Sequence, residues 1–309
     1  MTTTSFGQNF LNQINQLETR QSTLQNEATT GLSMTLPSDN PAAMNQVLNL
    51  QTEASANTQY QSNISAVQSS ADTASDALNS LQTLIEQASE IATQADSLSA
   101  AQLPTYAATV SGYISQALQY ANTQDSQGNY IFGGTANGSP PFSATTDANG
   151  NITGITYNGN SDVAKTDIAP GLSVTAQAPG ENNTGSGAAG VFADSRSGAN
   201  IFSDLISLQQ NLASGNTSAI ASTNTPALSK DEDNVVSQIS ANGVLQSTLE
   251  AAGTSESQES TSIDSQMSND TNADLAQTLT LLSQTQTAYQ ATLQSGVMIS
   301  SLSLMDFLQ

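Results

Sequence analysis

The chain has no cysteine, no histidine and no tryptophan. Without cysteine there is no thiol nucleophile and no disulfide, and without histidine there is no imidazole base and no ordinary zinc ligand set. Basic residues are nearly absent too: Arg20, Lys165, Arg196 and Lys230 stand against 26 acidic residues, for a net charge of −22. Such a chain repels a phosphate backbone and an anionic lipid surface, so nucleic acid is excluded as a partner. No apolar run approaches the roughly 18 residues a membrane-spanning helix needs, so no membrane insertion is expected. The first residues, MTTTSFGQNFLNQINQ, carry neither a basic n-region nor an apolar h-region, so no cleavable secretory signal is expected there. Phosphate-cradling and nucleophile-elbow motifs are missing as well: no Gly-Lys-Ser/Thr occurs, and Gly185-Ser186-Gly187 lacks the flanking spacing. Carboxylates are plentiful, but nothing singles out an acid–base pair. The expectation is a protein that is not an enzyme, with no catalytic residues, cofactor or metal.

What the chain does have is helical periodicity. Tyr60, Ile64, Val67, Ala71, Ala74, Leu78, Leu81, Ile85, Ala88, Ala92 and Ala95 alternate by four and three. That is a heptad seam sustained for about five repeats, with no Pro or Gly inside it. As a helix it would run roughly 54 Å, at about 1.5 Å per residue. A stripe this thin and this rich in Ala needs closely approaching partners.

Around it the chain reads as follows. Residues 5–28 form an amphipathic helix with Phe6, Phe10, Ile14, Leu17, Leu24 and Ala28 near one face. Gly31, Pro37 and Pro41 break it, and Asn40 with Pro41 supplies an N-cap and first position for the long helix. That helix ends near Asp96-Ser97. Pro104 starts a returning arm with Leu103, Ala107, Val110, Ile114, Ala117 and Ala121 in the seam, ending at Asp125–Gly128. Residues 129–135 read as a strand closed by glycines. Asp147–Asn151 reads as a hairpin turn before a strand with Ile152, Ile155 and Tyr157, followed by a turn at Asn158-Gly159. Asp147, Asn149 and Asn151 fall short of a calcium loop, because the Gly is misplaced and no Glu closes it. One more strand is expected at Gly190-Val191-Phe192. Helix returns at Ile201 with Phe202, Leu205, Ile206, Leu208 and Leu212, and stops at Gly215. Thr225-Pro226 looks like another N-cap pair. It opens a helix carrying Val235, Val236, Ile239, Leu245, Leu249, Ala252, Ile263 and Met267, with Gly243 and Gly253 as soft spots. Leu275, Leu279, Leu282, Tyr289 and Leu293 resume the heptad, with Gln286 in the seam, and the chain closes on an apolar end with Leu302, Leu304 and Phe307.

The fold class expected is mainly α: a long helical coiled-coil bundle built from both chain ends, with a small antiparallel β-rich domain inserted between them. The boundaries expected are terminal tips at 1–42 and 269–309, a helical bundle at 43–130 and 200–268, and a β-rich outer domain at 131–199. The apolar residues at the two ends, Phe6, Phe10, Ile14, Leu17, Leu275, Leu279, Leu282, Tyr289, Leu293, Leu302, Leu304 and Phe307, are the candidate assembly interface.

Three motifs carry a family resemblance. The connector Gly31-Leu32-Ser33 through Leu36-Pro37-Ser38-Asp39-Asn40-Pro41 resembles the stretch after the first helix in flagellins and hook-associated proteins. Asn129-Tyr130-Ile131-Phe132-Gly133-Gly134-Thr135 is similar to the helix-to-β junction of the hook-associated protein 3 family, the flagellar hook–filament junction proteins. So is the tail from Gln284 to Leu308. The resemblance implies a flagellin-like structural subunit of the bacterial flagellum, outside the cell, in a ring of copies between the hook and the flagellin filament. Its implied partners are the other hook–filament junction protein, flagellin, further copies of itself and a cytoplasmic export chaperone. Export would be by the flagellar type III apparatus without cleavage. A short flagellin forming the filament itself is the alternative. The chain departs from the family where basic residues are usual: Leu32, Met34, Thr35, Gln59, Gln61 and 246–249 are uncharged. Hydrogen bonds and apolar seams must replace intersubunit ion pairs, which suits a medium of low pH.

Overall fold

The computed structural model describes residues 3–34, 40–148, 150–176 and 178–307, with side chains between residues 7 and 298 of these stretches. The chain divides into two compact units, 1–56 with 259–309, and 57–258. Among the described residues three α-helices precede a run of short strands and four follow it: α1 Thr3–Thr30, α2 Pro41–Gln94, α3 Leu103–Ala121, α4 Ile201–Ser214, α5 Thr217–Ala219, α6 Thr225–Thr271 and α7 Leu275–Phe307. The fold is mainly α, with long helices toward both ends and small sheets in the middle.

α2 begins where its caps require. Asn40 Oδ1 accepts the Ala43 N–H at 3.2 Å, and Pro41, with no N–H to satisfy, takes the first position. In the unit 57–258 the seam residues Ile64, Val67, Ala71, Leu78, Leu81, Ile85, Ala88, Ala92 and Ala95 are buried. α2 tightens into a short 3-10 turn at Ala95–Ser97. All six expected residues of α3 are buried and share one hydrophobic core with the C-terminal half of the α2 seam. α4 packs along α3. Asn200 Oδ1 caps α4 by accepting the Ser203 N–H, and Gly215 ends it with φ 73°.

Within the same unit α6 lies antiparallel to α2 and is held by amides. Asn57 Nδ2 donates to Glu256 Oε2 at 2.7 Å, Asn242 Nδ2 to Ala71 O at 2.9 Å, and Gln246 Nε2 to Asp72 Oδ1 at 3.1 Å. Gln61 Nε2 donates to Asn57 Oδ1 at 2.8 Å and reaches Glu256 O at 3.2 Å. Gln61 and Gln246, uncharged where a basic residue was expected, therefore hold helices together by neutral or singly charged bonds, each contributing about 1–2 kcal/mol. Ile64, Val67 and Ala71 meet Leu249 and Ala252 in a second core, and Ile168 of the β region fills it.

The β region is three small sheets. β1 (Phe142–Thr146) pairs antiparallel with β2 (Ile152–Tyr157), and β3 (Lys165–Ala169) with β4 (Leu172–Thr175). β5 (Glu181–Asn182) runs parallel to β6 (Ala193–Asp194), which pairs antiparallel with β7 (Ala199–Asn200). The expected hairpin turn joins β1 to β2: Asp147 Oδ1 accepts the Asn151 N–H and Gly150 takes φ +85°. Asn149 lies outside the described residues. An aromatic cluster of Phe132, Phe142, Tyr157, Phe192 and Phe202 ties these sheets to α4, with ring centroids 4.9 to 5.3 Å apart.

Four local expectations are corrected. Residues 129–135 are a series of turns, not a strand. Ile131 and Phe132 are buried, and the backbone bonds out of line, with Ile131 N–H on Thr123 O and Tyr130 N–H on Asn137 O. α3 ends at Ala121, short of Gly128, because the side chain of Asn122 leaves the helix to clamp Phe142. Its Nδ2 donates to Phe142 O at 2.9 Å and its Oδ1 accepts the Phe142 N–H at 3.0 Å. Gly128 has φ +84°, in a separate turn built on Asp125. The strand expected at 190–192 falls at Ala193–Asp194, since Asn234 Nδ2 takes the Gly190 and Val191 carbonyls. Thr225 is not an N-cap. Asn216 caps the helical run, which passes through a π turn at Ile220–Asn224 into α6. Pro226 offers no N–H and crowds the preceding turn, and the chain widens just before it. Thr225 Oγ1 donates back to Ile220 O at 3.1 Å. Gly243 and Gly253 do not interrupt α6.

Candidate assembly surfaces

The unit 1–56 with 259–309 is built on α1 and α7. They run antiparallel, and residues 31–33 meet 271–273 at one end. Ala273 N–H donates to Gly31 O at 2.9 Å and Ser33 N–H to Thr271 O at 2.8 Å. Farther along, Tyr289 Oη donates to Glu18 Oε1 at 2.9 Å, and that bond to a carboxylate pushes the phenol's pKa up. Farther still, Gly296 lies directly beneath the Phe10 ring, where an added Cβ would overlap it. Leu24, Met34, Val47, Leu50 and Ile263 are buried in this unit.

Of the α7 residues in the expected heptad, Leu282 and Tyr289 fall in the row this helix buries, and the rest of that row is Thr and Gly. Thr278 and Thr285 are 5% and 6% exposed, and Leu282, Tyr289, Thr292 and Gly296 continue the same four–three spacing half-buried. The threonine hydroxyls turn inward: Thr285 Oγ1 donates to Leu281 O at 2.7 Å and Thr292 Oγ1 to Ala288 O at 2.8 Å. With the hydroxyl satisfied in its own helix, each Thr behaves as a small apolar residue toward a neighbour. This row could have been found by testing the heptad in a second phase with Thr and Gly admitted.

Of the candidate interface residues, Phe10, Ile14 and Leu17 on α1 and Leu282 and Tyr289 on α7 are half-buried. Leu275, Leu279 and Leu293 are 47%, 56% and 41% exposed. Leu11, Leu48, Val297 and Met298 are exposed as well. Phe6, Leu302, Leu304 and Phe307 fall in α1 and α7, but their side chains lie outside the described residues. Leu36 and Pro37 of the connector motif lie outside them too.

The Tyr130–Thr135 motif has a specific local reason. Asn160 Oδ1 accepts the Thr135 N–H at 2.9 Å, and its Nδ2 donates to Thr135 Oγ1 at 2.9 Å. Gly134, at φ +64°, lets that amide approach; a Cβ there would overlap Asn160. The Tyr157 hydroxyl accepts the Gly180 N–H at 3.1 Å and lies 3.0 Å from Phe132 O. Burial raises its pKa.

Charge plays a small part. Among the described residues the one salt bridge joins Arg196 to Asp194 at 2.6 Å, and the guanidinium holds that buried carboxyl down at about 2. Among the described residues no three metal-ligating side chains gather, and no helix is long and apolar enough to cross a membrane.

These features define a class: a chain with long helices toward both ends, enclosing a small β insertion, with an apolar helix face left over. Residues 2–137 match the bacterial flagellin N-terminal helical region. Several solved structures that share the fold are flagellar hook-associated proteins. One from Vibrio parahaemolyticus is 21% identical, with a TM-score of 0.63 over 76% of this chain and 100% of its own. Hook-associated protein 3 of Legionella pneumophila is 18% identical, with a TM-score of 0.60 over 72% and 98%. FlgL of Bacillus cereus is 18% identical, with a TM-score of 0.55 over 71% and 99%. No curated protein sequence matches. The chain thus shares its fold with these hook-associated proteins, and its residues 2–137 are similar to the flagellin N-terminal helical region.

Proposed function

We propose that this chain is a structural subunit of the bacterial flagellum, one of a ring of copies that joins the hook, through the other junction protein, to the flagellin filament. The observation that carries the reading is the leftover face of α7. Its threonine row is occupied within the subunit, while Leu275, Leu279 and Leu293 stay exposed. Apolar side chains repeated along one helix face lose free energy in water, each by about 1–2 kcal/mol, until a neighbour covers them. Ring copies and flagellin are the neighbours that the shared fold suggests. In this reading residues 1–42 and 269–309 make the packing tips, 43–130 and 200–268 the supporting bundle, and 131–199 the outward domain. Export without cleavage, with a cytoplasmic chaperone covering the C-terminal apolar face, belongs to the same reading and rests on the resemblance to the hook-associated proteins. The work is done by packing, and no chemical step is required of any residue.

A clean deletion tests this by electron microscopy of the cells and assay of flagellin in the medium. Hooks without filaments, with flagellin shed, are expected. Filaments of normal length would overturn the junction role, and long filaments formed by the purified chain alone would point to a short flagellin.

A further inference from the structure

α6 carries a carboxyl group inside the fold. Asp231 is 0% exposed. Its Oδ1 accepts the backbone N–H of Asn200 at 2.8 Å, and its Oδ2 has no hydrogen-bond partner. Asn200 closes β7 and caps α4, so this carboxyl sits at the joint where α4 begins against α6. No cation is paired with it. On α4 the nearest charge is Asp204, half-buried in the first turn. On α6 the flanking charges are Lys230, which acts on Asp204, and Glu232 and Asp233, which follow Asp231. On the neighbouring ribbon of β6 and β7, Asp194 and Arg196 are closed on each other. A buried carboxylate with one donor, an orphaned oxygen and an acidic neighbour is poorly solvated, whereas the neutral acid is not.

We propose that Asp231 is a protonation latch: the folded chain carries it as the neutral acid, and its ionisation loosens the joint between α4 and α6, so that the unit 57–258 is firmest in acid and yields as the medium turns alkaline. Burial first, and then the nearby Asp204 charge, push the group from 3.8 up to about 8. The folded state therefore holds a proton that the unfolded chain releases. The stabilisation is whole below the free carboxyl value and fades as pH rises toward about 8, at up to about tenfold in the folding equilibrium per pH unit across that window. Asp204 and Glu181 are raised by burial in the same direction. The device also fits a chain that spends only 10% of its residues on charge.

The test uses the full chain, with the Asp231 Cγ shift followed by carbon NMR from pH 4 to 9, alongside amide protection factors at the first turn of α4. The Cγ should titrate well above pH 6, with protection falling through the same range. In Asp231→Asn, which keeps an acceptor for Asn200, the protection should no longer follow pH. A Cγ midpoint below pH 5 would overturn the proposal, as would an unchanged fall of protection in the variant. Should that variant not fold, the wild-type titration still decides, and Asp204→Asn must move its midpoint to lower pH.

Discussion

Leu279 and Thr285 lie on one helix and should respond oppositely to the same substitution. Leu279 is 56% exposed and Thr285 is 6% exposed. Leu279→Asp in the isolated subunit loses only a partly wetted side chain and some helix propensity, so a cost of about 0.5 kcal/mol is expected, or a shift in Tm of about 1–2 °C. Thr285→Asp places a carboxylate in the face that α7 buries. The carboxylate loses its hydration there, and about 3 kcal/mol or more should be lost from the α1–α7 pairing. In the assembly proposed above the order reverses. Leu279→Asp then forfeits about 2 kcal/mol of apolar burial at each subunit contact and adds a charge there. Far-UV circular dichroism of the purified chains reads the first half. Filament length in deletion cells complemented with each variant reads the second. If Leu279→Asp melts α7 as readily as Thr285→Asp, the two faces have been assigned wrongly. If it folds and supports normal filaments, the leucine face is not a contact surface.

Three further outcomes are expected. Gly134→Ala should cost about 2–4 kcal/mol, because it combines an unfavourable positive φ with displacement of the Asn160 amide; equal midpoints in urea would refute that account. Gly243→Ala, with open space at its Cβ in α6, should stabilise the chain by about 0.5–1 kcal/mol, visible as a raised Tm. Asp194 is held at about 2, so its stabilising pair persists as pH falls to about 4 and is lost below that, by about 2 kcal/mol in all. Acid unfolding of Asp194→Asn should lack that final step.

The parts of the fold legible in the sequence were those where one physical signal acted alone. In α2 and α3 the four–three rhythm of Ile, Val, Leu and Ala follows the buried stripe closely, with Tyr60 and Ala74 only half-buried, because little competes with burial there. The Asn40 end was legible for a similar reason: a cap is a local bond. The signal failed where distant groups set the backbone. Residues 129–135 have strand composition, yet their bonds go to Thr123 and Asn137, partners that no local pattern specifies. Pro226 was a fair helix start until the π turn made room for it. On the assembly surface, Leu, Ile, Tyr and Phe were legible as apolar. The occupied row of α7 was not, because Thr278, Thr285, Thr292 and Gly296 look polar or flexible until the Thr285 and Thr292 hydroxyls are seen bonded to their own helix.

The antiparallel course of α1 and α7 has a mechanical consequence. Phe10 lies over Gly296, so the start of the first helix and the end of the last are neighbours, and a force pulling the two chain ends apart acts across the pair rather than along it. Loaded that way, the described contacts break singly, Phe10 from Gly296 before Tyr289 from Glu18, with the Gly31–Ala273 and Ser33–Thr271 bonds the last of them. A pair that unzips yields at far lower tension than the same pair sheared along its length. The termini would therefore peel under modest pulling, while sideways drag along the helices would meet every contact at once.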